Sequence, residues 1–186
     1  MPPGEKRAVF LDRDGVINQA RVVDAKPYPP ETLADFVILP EVGAACEKLK
    51  AAGYLLVVAT NQPDVGRGAQ SRATVEEMHR LMCATLPIDH VEVCWHAGRG
   101  EVCPCRKPKP GMLLHASELL GIDLARSYMV GDRWRDIDCG AAAGCATVFI
   151  DRGYDEMLRA QPGHMALNLL GAAEIIVGSG RQWITN

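Results

Sequence analysis

Short apolar runs alternate with helix-like periodicity along this chain, and that alternation constrains the fold more than any other feature. Residues 8–12 (AVFLD) read as a short buried strand, 42–52 as a helix stopped by Gly53, and 54–60 (YLLVVAT) as the clearest strand, β-branched and apolar throughout. A helix pattern over 71–86, with Ser71 or Thr74 near its cap and Pro87 beyond it, leads to a third strand at 91–95. Residues 111–120, ended by Gly121, and 135–143, ended by Gly144, read as further helices. Strands at 127–130 and 146–150 complete the pattern. Strands that are apolar on both faces and separated by helices belong in a parallel sheet covered on each side. Right-handed crossovers make that sheet a doubly wound, Rossmann-like α/β layer, which binds ligands outside the carboxyl ends of its strands.

With 186 residues, 48% of them apolar and 23% charged, the chain has globular composition and fits one domain, which we take as 1–186. At this size folding buries roughly 70% of the extended surface, so a core forms without disulfide staples. The net charge of −3 lacks the basic footprint of a nucleic-acid binder. No apolar run reaches the length of a membrane span, and the polar start at residues 1–7 carries no secretory segment. A cytoplasmic monomer acting on a small molecule is the expectation.

The residues just after each strand are the ones with chemistry. Asp12-Arg13-Asp14-Gly15 follows the first strand, Thr60-Asn61-Gln62 the second, and a Cys/His cluster with Arg106-Lys107-Pro108 the third. Gly131-Asp132-Arg133 follows the fourth, with Asp136 one turn on. Each group alone reads as a turn, a helix cap or a solvated charge. Asp12, however, ends a buried strand, where an unpaired carboxylate is costly to desolvate. A hard cation such as magnesium relieves that cost, because it accepts carboxylate and carbonyl oxygens. Two carboxylates at one site can divide the work, one as nucleophile and one exchanging protons. With a hydroxyl at Thr60 and an ammonium at Lys107, the rim carries the parts for phosphoryl transfer. A non-enzymatic phosphoacceptor signalling domain uses similar parts, but there the lysine follows the last acidic strand end rather than preceding it.

Four motifs in order carry a resemblance: FLDRDGV (Phe10–Val16), VVATNQ (Val57–Gln62), CRKPKPG (Cys105–Gly111) and MVGDRWRD (Met129–Asp136). Over about residues 8–152 the chain resembles the haloacid dehalogenase superfamily of aspartate-nucleophile phosphatases. Its LDRDG, TNQ and C-x-C-R-K-P forms are similar to the small-molecule branch of heptose-bisphosphate and histidinol-phosphate phosphatases. The resemblance implies that Asp12 is the nucleophile and Asp14 the general acid/base. It implies that Thr60 and Lys107 steady the phosphoryl group, and that Asp12, the Asp14 carbonyl and Asp132 bind magnesium. Asn61, Gln62, Arg106 and Arg133 are the implied substrate contacts, with Asp136 a lesser candidate for metal-bound water or a helix residue. A sugar bisphosphate is expected over histidinol phosphate.

Seven cysteines, an odd number, argue against a disulfide framework. Cys94, His96, Cys103 and Cys105 offer the three thiols and one imidazole of a tetrahedral structural zinc site. A zinc loop at 94–105 then pins the segment that delivers Arg106 and Lys107, although a chance surface group or a Cys103/Cys105 redox pair has the same spacing. Cys46, Cys83, Cys139 and Cys145 read as small buried side chains. Residues 15–39 have the size of a flap, and no segment is long enough for a cap domain. Arg13, Arg21, Arg67, Arg106 and Arg133 are expected near the rim, and residues 172–177 near the end of a last helix.

Overall fold

The computed structural model describes residues 6–98 and 103–180; residues 1–5, 99–102 and 181–186 lie outside it, and with them part of the expected zinc loop and the end of the tail. The main sheet has six parallel strands in the order β5-β4-β1-β6-β7-β8: β1 (Arg7–Leu11), β4 (Tyr54–Asn61), β5 (His90–Cys94), β6 (Tyr128–Gly131), β7 (Ala146–Ile150) and β8 (His164–Ala166). In register, Phe10 of β1 sits between Val57 of β4 and Met129 of β6. The helices are α1 (Val42–Ala51), α2 (Pro63–Gly66), α3 (Arg72–Thr85), α4 (Gly111–Leu120), α5 (Trp134–Ala143) and α6 (Leu169–Gly180).

Helices cover both faces because every central strand is apolar on both. Val9, Leu11, Leu56 and Val58 point to one side and pack with α1, α3 and α6. Ala8, Phe10, Val57 and Ala59 point to the other and pack with α4 and α5. This is the period-2 alternation of a strand whose two faces are both interior. The four strand ends at Leu11, Asn61, Cys94 and Gly131 therefore face one way, and their loops share one rim.

The expected strands and helices are present, with a sixth strand, β8, added at the edge of the sheet. No cap domain is inserted among the described residues. The segment between β1 and α1 instead forms an antiparallel hairpin, β2 (Arg21–Val23) and β3 (Lys26–Tyr28), turning at Asp24 and Ala25, both at positive φ. One cysteine departs from expectation: Cys83 is exposed, because it lies at the edge of the α3 face that buries Val75, Met78, His79 and Met82.

Candidate active site

Asp12 leaves β1 with its carboxylate almost buried. Lys107, 2% exposed, places its ammonium 2.8 Å from Asp12, 2.6 Å from Asp136 and 2.7 Å from the carbonyl of Ala59. Three acceptors match the three donors of the ammonium, so this buried cation is fully paired. Burial pulls its pKa down, but Asp12 and Asp136 outweigh it and hold the amine well above its ordinary value. The Lys107 backbone is fixed as well: its N–H donates to Asn61 Oδ1, and Asn61 Nδ2 donates to its carbonyl.

Asp12, Asp132 and Asp136 bring carboxylate oxygens within 4.8 Å of one another, all buried. Neither oxygen of Asp132 has a well-formed hydrogen bond, though the Tyr154 hydroxyl lies nearby. Burial, then Asp136, push the Asp12 carboxyl up to about 6 against the pull of Lys107. Burial, then Asp12 and Asp136, hold Asp132 well above the usual carboxylate range. An all-oxygen cluster of three mutually repelling carboxylates, one of them without a well-formed hydrogen bond, suits a hard divalent cation. Two glycines permit the crowding. A Cβ on Gly15, which has φ +90°, would overlap the carboxylate of Asp132, and one on Gly131 would overlap Asp136.

The Asp14 carboxylate stands outside the cluster, held by the side-on fork of Arg13, by Asn18 Nδ2 at 3.1 Å and by Gln62 Nε2 at 2.9 Å. Asp136, only a lesser candidate on sequence, is in it, because the first turn of α5 folds its side chain back under β6. It also accepts from the Arg133 N–H at 3.0 Å, capping the helix.

Above these groups lies a cavity of about 280 Å³, lined by Asp12, Asp14, Asn61, Lys107 and Asp136 at its floor and by Tyr28 of the hairpin. Arg67, Arg106, Arg133 and Arg135 also line it. Thr60 and Gln62 do not: both are 1% exposed, and the Gln62 amide donates to the Thr60 hydroxyl at 2.9 Å and to Asp14. Gln62 is therefore placed to orient Asp14 rather than to touch a ligand. Two of the five expected rim arginines are elsewhere. Arg13 is fully buried against Asp14, and Arg21 is on the hairpin, paired with Glu31. Arg135 takes a place that sequence reasoning left empty. It shares Glu156, in the loop after β7, with Arg133. A glutamate in an irregular loop carries no periodic signal, so only the fold reveals that pairing.

Below the rim, Cys94, His96, Cys103 and Cys105 bring ligand atoms within 4.8 Å of one another. Cys94 Sγ is 3.9 Å from Cys103 Sγ and 3.5 Å from His96 Nδ1, and Cys105 Sγ is 3.2 Å from His96 Nδ1. These distances exceed the ~2.05 Å of a disulfide. They match the edges of a tetrahedron around an ion with ~2.3 Å thiolate bonds, where sulfurs stand about 3.7 Å apart. All seven cysteines are free thiols in the structure.

A family model for HAD-hydrolase-like proteins matches residues 104–180. The heptose-bisphosphate 7-phosphatase of Salmonella typhi, named D-glycero-beta-D-manno-heptose-1,7-bisphosphate 7-phosphatase, is 41% identical over 156 residues, covering 78% of this chain and 80% of that one. The chain belongs to the haloacid dehalogenase-like hydrolases. A second relative of the same name, from Pseudomonas putida, is 37% identical and covers 81% of this chain and 85% of its own length. Among solved structures of this family, D,D-heptose 1,7-bisphosphate phosphatase from B. bronchiseptica, complexed with magnesium and phosphate, superposes with a TM-score of 0.79 at 30% identity. It covers 93% of this chain and 99% of that one. No helix among the described residues is long and apolar enough to cross a membrane.

Proposed function

We propose that the chain is a single-domain phosphatase working through an aspartyl-phosphate on Asp12, and that its substrate is a heptose bisphosphate whose 7-phosphate it removes. The observation that carries the bisphosphate reading is the set of cations around the cavity. Arg67, Arg106, Arg133 and Arg135 line the space beyond Asp12, and Arg106 has no carboxylate partner among the described residues. Arginine forks grip phosphate oxygens bidentately. A monoester has its phosphoryl group at Asp12 and nothing to offer them; a second phosphate has.

In this reading Asp12 attacks phosphorus, and the bond to the sugar oxygen breaks. Asp14 donates a proton to that departing oxygen, then removes one from the water that attacks the aspartyl-phosphate. Lys107, pinned by Asp136 and Ala59, holds its charge beside the transferring group throughout. Asn61 keeps Lys107 in place, and Gln62, with Thr60 behind it, keeps Asp14 in place. Asp12, Asp132 and Asp136 would hold magnesium, with the Asp14 carbonyl as a further candidate. When bound, the cation neutralises charge on the phosphoryl oxygens. Cys94, His96, Cys103 and Cys105 would hold a structural zinc that fixes the start of the Arg106–Lys107 segment.

Comparison of kcat/KM for D-glycero-D-manno-heptose 1,7-bisphosphate, histidinol phosphate and sugar monophosphates tests the substrate. The bisphosphate is expected to lead by tenfold or more, on the order of the 1.5–3 kcal/mol of a charge-assisted contact. Equal values for bisphosphate and monophosphate, or a lead for histidinol phosphate, would refute it. Arg106→Ala is expected to narrow that lead while sparing an aryl phosphate.

Metal removal tests the carboxylate cluster. A carboxyl raised by the fold opposes folding once ionised. Asp12 therefore contributes no penalty below its ordinary value near 3.8 and its full penalty above about 6. A cation cancels that penalty. Saturating magnesium is thus expected to raise Tm little near pH 4 and progressively more up to about pH 6, with Asp132→Asn losing most of the gain. A gain independent of pH, or one unchanged in Asp132→Asn, would place the metal elsewhere.

A further inference from the structure

Helix α3 buries Val75, Met78, His79 and Met82, the i, i+3, i+4, i+7 face of a helix that packs on the sheet. His79 is the polar residue on that face, and it is buried. Its Nε2 lies 3.1 Å from Nη1 of Arg13. Arg13 has no exposed surface, and its other edge grips Asp14: Nε to Oδ1 at 3.0 Å, Nη2 to Oδ1 at 2.8 Å and to Oδ2 at 2.9 Å. Guanidinium nitrogens only donate, so Nε2 must accept, and the imidazole is neutral with its proton on Nδ1. Burial, then the charge of Arg13, lower the pKa of His79 to about 4, which keeps it an acceptor at neutral pH.

We propose that His79 is a positioning residue for proton transfer, anchoring the far side of Arg13 so that its fork fixes the Asp14 carboxyl at the cavity. The arrangement follows from satisfying a buried cation. Phe36 stacks against the guanidinium with its ring centroid 5.7 Å away, offering no hydrogen bond. Without His79, Nη1 keeps no acceptor that is shown for it, and a buried unpaired donor on a charged group is costly. The guanidinium then turns to find water or another acceptor, and its two-point hold on Asp14 turns with it. Asp14 carries the proton, so the effect reaches the reaction through Asp14 alone.

This inference rests on the reading of Asp14 as general acid, and leaving-group dependence separates the two. In the first step the sugar alkoxide needs a proton as its bond to phosphorus breaks, whereas 2,4-dinitrophenolate leaves without one. The measure is kcat/KM, which stops at the first irreversible step and excludes hydrolysis of the aspartyl-phosphate. For a sugar phosphate, His79→Asn, too short to reach Arg13, and His79→Leu are expected to lose at least about tenfold of the roughly 10²–10⁴-fold that proton transfer contributes. For 2,4-dinitrophenyl phosphate both variants are expected to stay within about threefold of the parent. His79→Gln, whose amide oxygen can accept from Arg13, is expected to recover most of the loss. Thermal melting of each variant verifies folding, and if His79→Leu does not fold, the Asn and Gln variants decide. An equal fall on both substrates, or no fall on either, overturns the proposal. Asp14→Asn is the control. If it discriminates between the substrates and His79→Asn does not, the positioning role falls alone. If Asp14→Asn lowers both alike, the acid assignment falls and the positioning role with it.

Discussion

Asp12→Asn is expected to lower kcat by on the order of 10⁴-fold or more while leaving the fold intact. An amide oxygen is a poor nucleophile, and the change removes the group on which the proposed covalent intermediate forms. The fold tolerates it because the raised pKa of Asp12 marks its charge as a burden to the folded chain, not a support. Lys107 loses one charged partner but keeps Asp136 at 2.6 Å and the Ala59 carbonyl at 2.7 Å. The variant should therefore melt at or above the temperature of the metal-free parent. Phosphate release from the heptose bisphosphate, together with a thermal melt of the same preparation, checks both halves. More than about a tenth of parental activity in the purified variant would rule out the aspartyl-phosphate route.

The second large effect is on stability. Replacing Cys103 and Cys105 by serine is expected to abolish tight zinc binding and to lower Tm by at least about 6 °C. Structural zinc in small sites contributes on the order of 10 kcal/mol of binding free energy, of which loss of even about 3 kcal/mol suffices. For a chain of this size each kcal/mol moves Tm by about 2–4 °C. Without metal the Cys94 thiol, pushed up to about 12 by desolvation, stays protonated in the same apolar cluster as Met112 and Leu113, so no thiolate pairing replaces the zinc bonds. Activity should fall too, since Cys105 directly precedes Arg106 and Lys107. Elemental analysis of metal-washed protein is expected to find about one zinc per chain, and none in the double variant. Full zinc occupancy in that variant would move the site to other residues.

Substrate choice illustrates a limit of reading residues one at a time. Arginine next to Lys107 and arginine next to Asp132 looked alike on sequence, two fixed cations beside catalytic groups. Tertiary structure separates them. Arg133 has its guanidinium taken by Glu156, whereas Arg106 lines the cavity with no carboxylate partner among the described residues. The loop after β7 that brings Glu156 there has no repeat, no cap and no strand pattern to announce it.

Much of the rest was legible because it is governed by short-range rules. The parallel sheet follows from strands 8–12 and 54–60 being apolar on both faces, and its strand ends, where Asp12, Thr60 and Asp132 stand, follow from the chain direction alone. The Cys94–Cys105 cluster was visible from ligand spacing, since two residues within a strand's length of each other stay together in any fold. Where a side chain turns at the end of its strand is not local. Asp14 and Asp132 both lie within three residues of a strand end, yet Asp14 is drawn to Arg13, Asn18 and Gln62 while Asp132 is left beside Asp12 and Asp136 with no well-formed hydrogen bond among the described residues. Arg13 went inside for the same reason: a histidine sixty-six residues away accepts from its far nitrogen. Periodicity reports which face of an element is buried, and so the sequence determined the layers, the rim and the identity of the chemical groups. The partner of each buried charge depends on which helices the crossovers lay against that rim, and that was decided only in three dimensions.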